Sequence, residues 1–164
     1  MVSIMAAMAR NRVIGKEGRI PWSIPGEQTW FRQVTWGKPV ILGRVSWEEI
    51  GAPLPGRELL VLTRGRQVFP PGVRGIASLE EAWFFCRDAE EIVVAGGAQV
   101  YRQAMPYAKR IYLSVLEMEA EGDTFFPCFE RKGFSEQSRV FVPGKIPYTR
   151  YIYERPQPEK ALPQ

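Results

Sequence analysis

KPVILGRVSWEEIG, residues Lys38 to Gly51, passes from a solid apolar run into a helical pattern with no linker between them. Lys38 to Gly43 has the length and composition of a strand buried on both faces. RVSWEEIG, from Arg44 to Gly51, reads as a short helix that the glycine ends. A buried strand feeding straight into a helix is the repeating unit of a parallel α/β sheet, because parallel neighbours need a crossover connection. In such sheets ligands sit beyond the carboxyl ends of the strands, where the helices begin.

The alternation extends in both directions. Val2 to Met8, VSIMAAM, is an apolar run of strand length followed by an Asn-Arg turn. Pro25 opens a helix that runs to Thr35 and stops before Gly37. Glu58 to Thr63, ELLVLT, is a second buried strand; Ser78 caps a helix reaching Cys86, with Glu81 in the capping-box position. Glu91 to Gly97, EIVVAGG, leads into the helix AQVYRQAM, closed by Pro106, and Arg110 to Met118 follows as a strand. Phe134–Val142 and Thr149–Glu154 flank the turn PGKIP and form an antiparallel pair. The expected fold is a three-layer α/β sandwich around a mixed, mostly parallel β-sheet, closed by an antiparallel C-terminal hairpin. One domain over residues 1–155 accommodates it, and PQPEKALPQ, residues 156–164, reads as a frayed tail.

With 164 residues, 45% of them hydrophobic and 24% charged, the chain has room for one proper core. It holds no histidine, which removes Ser-His-Asp triads, Cys-His nucleophiles, His bases and His-ligated zinc together. Cys86 and Cys128 lie far apart and outside any CxxC, so neither a metal nor a redox dithiol centre is expected. The net charge of +4 is scattered, and acids such as Glu48, Glu49, Glu90 and Glu91 interrupt the cations, so no nucleic-acid partner is expected. The first apolar run breaks at Arg10, too short for a signal or a membrane span. The reading is of a cytoplasmic protein with reduced cysteines and no membrane partner.

Three strand ends have features of a dinucleotide site. At the first, Gly43 is followed by a helix opening with Arg44, Val45 and Ser46, whose free N–H groups and hydroxyl attract phosphate. At the second, Gly96-Gly97 lets the backbone bend sharply before another helix start. The third delivers Thr63 and Arg64. Each taken singly also fits a plain tight turn, and neither glycine site matches GxGxxG or the Walker pattern. An NAD site would want an acid for the ribose 2′-hydroxyl; Arg44 and Arg64 together favour NADPH.

The other anomaly is IPWSIPGEQTWF, Ile20 to Phe31, where Glu27 stands among two tryptophans, a phenylalanine and two isoleucines. An acid in a helix's first turn can simply complement the dipole. Glu27 and Phe31 are four apart, however, and so share a face with Val34. A carboxylate beside a phenyl ring suits a flat, nitrogen-rich heterocycle, which stacks on the ring and gives the acid two N–H bonds.

At this point the chain resembles a known family. IPWSIPGEQTWF, KPVILGRVSWEEIG, LPGRELLVLTR, VAGGAQVY and EGDTFFP follow one another in the order and spacing of dihydrofolate reductase, over essentially the whole chain except its last residues. The resemblance implies hydride transfer from NADPH to C6 of 7,8-dihydrofolate with protonation at N5. It implies that Glu27 holds the pterin, that Trp22 organises a water, and that Ser114, usually threonine in the family, orients the acid. Phe31 would stack on the pterin, Met5, Ile50 and Leu54 would wall it, and Arg57 would pair with the glutamyl α-carboxylate. Ala7, Ile14, Gly15, Ile20, Ser46 and Tyr101 would surround the nicotinamide and its ribose. Gly43, Arg44, Gly96, Gly97 and Gln99 would line the phosphates, with Thr63 and Arg64 near the 2′-phosphate, and Gly15 to Ile20 would be the mobile loop that closes over the nicotinamide. A monomer is implied.

There are departures: Ala98 replaces a third glycine, Gln99 stands where an arginine often helps the 2′-phosphate, and Ala52 is small and uncharged near the substrate tail. IPWSIPGEQ and IPYTRYIYER resemble the integron-carried type A enzymes associated with trimethoprim resistance. Two rival readings stay open: an NADPH-dependent reductase of a riboflavin-precursor pyrimidine, and a non-enzymatic module that binds a pterin or nucleotide.

Overall fold

The apolar runs become the middle of one eight-stranded sheet in the computed structural model, which describes residues 1–163. In chain order the elements are β1 (Val2–Ala9), β2 (Val13–Gly15), α1 (Pro25–Thr35), β3 (Val40–Gly43), α2 (Arg44–Ile50), β4 (Leu59–Leu62) and β5 (Val73–Ile76). There follow α3 (Leu79–Phe85), β6 (Ile92–Val94), α4 (Ala98–Ala104), β7 (Ala108–Leu116), β8 (Thr124–Phe125), β9 (Ser135–Val142) and β10 (Tyr148–Glu154). A 3-10 turn, Met105–Tyr107, holds Pro106 between α4 and β7. The sheet order is β5-β4-β3-β6-β1-β7-β10-β9. Pairing is parallel from β5 to β7 and antiparallel at β7–β10 and β10–β9, so the expected mixed sheet with its C-terminal hairpin is present.

Burial on both faces explains why the central strands read as solid apolar runs. Alternate residues face opposite layers. Ile4, Ile41, Leu60 and Val94 join a core with Leu79 and Trp83 of α3 and Val100 and Tyr101 of α4. Met5 and Val93 pack with Trp30 of α1, while Val40, Leu42 and Leu59 pack against Phe31 and Trp47. The helices therefore lie in two layers, α1 and α2 on one face, α3 and α4 on the other.

Several details differ from the sequence reading. Strands β2 and β8, of three and two residues, pair only with each other, and are too short to show a period. β5 lies in the proline- and glycine-rich stretch FPPGVRGIAS, to which the sequence reading assigns no element. Ser78 caps α3 as expected, accepting from Glu81 N at 3.3 Å, but the Glu81 carboxylate accepts from Ala77 N at 2.8 Å, one residue short of closing the box on Ser78. The tail is not frayed over its described part: Lys160 N donates to Pro106 O at 2.9 Å, Leu162 packs on the core, and Glu159 pairs with Arg155 at 3.5 Å. Arg155 is only 3% exposed and donates to the carbonyls of Ala108, Lys132 and Met105, which is why the chain that follows it has an anchor.

At the opposite end of the sheet from the helix starts, Glu91 is 8% exposed and ties four segments together. It accepts from Ser3 Oγ of β1, from Tyr112 OH of β7 at 2.9 Å and from Lys38 Nζ ahead of β3 at 2.7 Å. Burial is the largest single influence and pushes its pKa up, but the donors Lys38, Ser3 and Tyr112 together outweigh it and hold the carboxyl below its ordinary value. A carboxyl depressed on folding contributes stability above its unfolded pKa and loses it as the pH falls through the folded one. Glu91→Gln should therefore destabilise the protein near neutrality by on the order of 2 kcal/mol, because half-buried Lys38 and the buried hydroxyls of Ser3 and Tyr112 lose the charged acceptor they share. The deficit should narrow in acid. Urea denaturation across pH tests this, and a variant as stable as the parent at neutral pH refutes it.

Candidate active site

The carboxyl ends of β1, β3, β4 and β6 open on one cleft of about 1520 Å³. Met5 and Ala7 of β1 form its floor, with Leu42 at the end of β3. α1 presents Glu27 and Phe31 along one wall, and Ile50, Leu54 and Arg57 complete that half. The other half is built from helix starts and strand ends: Gly43, Arg44 and Ser46; Thr63 and Arg64; Gly96, Gly97, Gln99 and Tyr101. Ile14, Gly15 and Ile20 bound the junction between the halves. Two sequence-predicted residues do not line the cleft. Trp22 is half-buried in the segment before α1, and Ser114 lies behind the wall, fully buried in β7 beside Ala7.

Glu27 is the electrostatic centre of the first half. It is half-buried, and no salt bridge reaches it among the described residues. Burial raises its pKa from 4.5 to about 7, and the Ser114 hydroxyl pulls back in the other direction. Ser114 Oγ faces Glu27, although it makes no hydrogen bond of regular geometry. Tyr101 is held under the same floor by its hydroxyl, which donates to Met5 O at 2.8 Å, and burial raises its pKa, with Glu27 adding to the effect.

Arg57 stands where the turn after α2 returns to the sheet. Its Nε donates to Pro55 O at 2.9 Å and a terminal nitrogen to Thr35 Oγ1 at 3.3 Å. Gly56 makes this possible: its φ is +73°, and a Cβ there would sit 2.6 Å from the Trp36 ring. Arg32, which the sequence reading missed, joins Arg57 over the same ring, at 5.2 and 5.5 Å from the centroid. Burial first, and Arg32 second, hold Arg57 below its ordinary pKa. Two converging cations at the mouth of the cleft make a site for an anion. The signal for Arg32 was its place on α1 one residue beyond Phe31.

In the second half the backbone itself forms the lining. Gly43 N donates to Gly96 O at 2.7 Å, tying β3 to the turn after β6. A Cβ on Gly96, whose φ is +131°, would meet Ser46 Oγ at 3.1 Å, and one on Gly43 would meet Val100 at the same distance. Side chains here would fill the cradle. Neither α2 nor α4 has a side-chain N-cap, so their first N–H groups remain free. Arg44 lies 2.8 Å from Glu48, whereas Arg64 is without a salt bridge among the described residues. Glycine-lined backbone, free N–H groups and two arginines fit a phosphorylated dinucleotide.

Fold and cleft define an α/β protein whose ligands bind at the carboxyl ends of parallel strands. Residues 1–155 match the family model described as dihydrofolate reductase. The chain is 42% identical to dihydrofolate reductase type 3 of Salmonella typhimurium over 88% of its own length and 89% of the relative's. It is 40% identical to dihydrofolate reductase type A13 of Escherichia coli over 94% of each. A solved structure of dihydrofolate reductase from Enterococcus faecalis, complexed with NADP(H) and RAB-propyl, superposes with a TM-score of 0.88 at 29% identity, covering 96% of this chain and 97% of that one. The chain belongs to the dihydrofolate reductase family.

The position of Glu27 depends on the residue before it. A Cβ on Gly26 would come 2.7 Å from the hydroxyl of Tyr148, a buried residue at the start of β10. Gly26→Ala should therefore push the first turn of α1 away from the sheet and destabilise the protein by about 1–3 kcal/mol. Tyr148→Phe removes the atom in conflict, so the double variant should recover most of the loss. Urea melts of the three variants decide it; a Gly26→Ala protein as stable as the parent would show that this contact does not set the helix.

Proposed function

We propose that this chain reduces 7,8-dihydrofolate to 5,6,7,8-tetrahydrofolate in the cleft, using NADPH. The observation that carries the reading is Glu27, one carboxyl without a salt bridge, raised to about 7 beside Phe31. NADPH, when bound, supplies the hydride that C6 of the pterin receives. Gly43, Gly96, Gly97, Arg44 and Gln99 would hold its phosphates, with Ser46 and Tyr101 at the ribose and Thr63 and Arg64 at the 2′-phosphate. Ala7, Ile14, Gly15 and Ile20 would enclose the nicotinamide. The same sites were assigned in the sequence, and all of them line one cleft.

Glu27 accepts from the pterin 2-amino group and N3, and Ser114 donates to its free oxygen. Holding a cationic pterin offsets the burial that raises Glu27. Phe31 stacks on the ring, and Met5, Ile50 and Leu54 exclude water from it. Trp22, outside the cleft lining, orders the water that carries a proton to N5. Arg57 takes the glutamyl α-carboxylate, and this charge pair is the reason to prefer dihydrofolate over a riboflavin-precursor pyrimidine, which has no tail to anchor. The protein works as a cytoplasmic monomer, consistent with its scattered charge and with Cys86 and Cys128, which are both free. Gel filtration of the pure protein tests the monomer.

Loss of NADPH absorbance with dihydrofolate, and none with the pyrimidine, is the expected result; binding without turnover would favour the non-enzymatic module. Glu27→Gln should lower turnover near neutrality by roughly 100-fold or more, the range of a positioned acid. Because solvent supplies the proton in acid, the deficit should shrink as the pH falls. The parent should lose efficiency as the pH rises through about 7, where the free carboxyl ionises. Equal turnover of variant and parent at neutral pH would remove Glu27 from the mechanism.

We also propose that trimethoprim inhibits weakly while methotrexate binds tightly. The resemblance of IPWSIPGEQ and IPYTRYIYER to the type A enzymes supports this, and so does geometry. Glutamate is one methylene longer than aspartate, so a diaminopyrimidine that reaches it displaces its trimethoxyphenyl group from the walls. Methotrexate and dihydrofolate keep a second anchor at Arg57 and tolerate the shift. Glu27→Asp should tighten trimethoprim and leave methotrexate little changed. If wall residues such as Met5, Ile20 and Ile50 set the affinity instead, Glu27→Asp will not move it.

A further inference from the structure

Between β2 and α1 the chain crosses the cleft as a short strap. Lys16 and Arg19 hydrogen-bond to each other through their backbones, at 2.8 and 3.0 Å, around Glu17 and Gly18, whose φ values are +51° and +77°. This is a tight two-residue turn of the type that needs two left-handed residues. It leaves the next residue, Ile20, with its side chain in the cleft lining and 52% exposed. Ile20 belongs to none of the apolar clusters of the core, so the polar contacts of its backbone hold it in place.

The strap is gripped from two sides. On one, Glu17 N donates to Asp123 Oδ2 at 3.0 Å, just ahead of β8. On the other, Ile20 N donates to Glu49 Oε1 at 2.9 Å. Glu49 lies four residues after Val45 on α2, hence on the same face, and Val45 is the neighbour a Cβ on Gly18 would meet at 3.4 Å. The adjoining row of α2 is occupied by the Arg44–Glu48 pair, and Glu49 has no ion pair among the described residues. One face of α2 thus flanks the strap twice: Val45 lies beside Gly18 at its turn, and the Glu49 carboxylate accepts at its end.

We infer that Glu49 is a positioning residue: by accepting from Ile20 N it fixes the end of the strap over the junction between the two halves of the cleft. Its consequence for catalysis rests on the proposed function, because a strap released at Ile20 uncovers the place assigned to the nicotinamide. The contact needs an acceptor of this reach and does not need a charge. Replacement by glutamine keeps a carbonyl oxygen in place, alanine removes it, and aspartate falls one methylene short.

Amide hydrogen exchange of the full chain reads the contact directly, whatever the substrate. In Glu49→Ala, Ile20 N–H should exchange faster by on the order of tenfold, the effect of one lost hydrogen bond. Glu49→Asp should behave alike, which keeps the test open if the alanine variant fails to fold, while Glu49→Gln should retain most of the protection. Stopped-flow release of NADPH should quicken several-fold in the alanine and aspartate variants with the melting temperature unchanged, a separation that a merely structural role does not produce. Parent-like exchange at Ile20 in Glu49→Ala, or equal loss in Glu49→Gln, overturns the inference. Failure of the functional reading shows elsewhere, as absent turnover of dihydrofolate by the parent.

Discussion

In a parallel ladder each strand must leave the sheet, cross a face and re-enter from the same end as its neighbour. β1 pairs in this way with β6 on one side and β7 on the other, and β3 pairs likewise with β4 and β6. Both faces are covered by helices, so the interior strands carry apolar residues there almost throughout, with Ser3 and Ser114 the buried exceptions. Polar function is forced to the edge where the strands end, and that edge is the cleft. The capping of the helices follows the same division. α3 has Ser78 at its start, whereas α2 and α4 start from Gly43 and Gly97 and leave their N–H groups for whatever the cleft receives.

How much of this was legible depends on whether a feature is local. Pro25–Thr35 was readable to the residue because a proline opens it and a glycine follows closely. The strand ends at Gly43, Thr63 and Gly96 were readable because solid apolar runs stop there. Strands β2 and β8 were not, since their only strand pairing is with each other and neither is long enough for a pattern. The cleft residues came from matching motifs, and nineteen positions named from the sequence line it, with Trp22 and Ser114 set back from it. What no local rule could supply were contacts between distant segments: Tyr148 against Gly26, Arg32 beside Arg57, and Glu49 under the backbone of Ile20. The tail shows the same limit, because PQPEKALPQ has the composition of a loose end, yet Arg155, Pro106 and the core under Leu162 receive it.

Two carboxyls in the molecule show how one physical cost can be turned to opposite ends. Burial is the largest influence on both Glu27 and Glu91, and in each it favours the neutral acid. Glu91 is supplied with Lys38, Ser3 and Tyr112, and its pKa ends below the ordinary value. Glu27 is supplied with Ser114 alone and stays near 7. The linkage signs are therefore opposite. Glu91 adds stability once the pH is above its unfolded pKa, whereas Glu27 subtracts stability as the pH rises from about 4.5 to about 7. A fold gains nothing from the second arrangement, and a hydrophobic residue at position 27 would remove the cost. The cost is recovered only when a ligand brings donors and positive charge to that wall, as a protonated pterin does in the proposed reaction. On this argument the missing partners of Glu27 are the substrate's own N–H groups, and the free protein holds its site open at the expense of its stability.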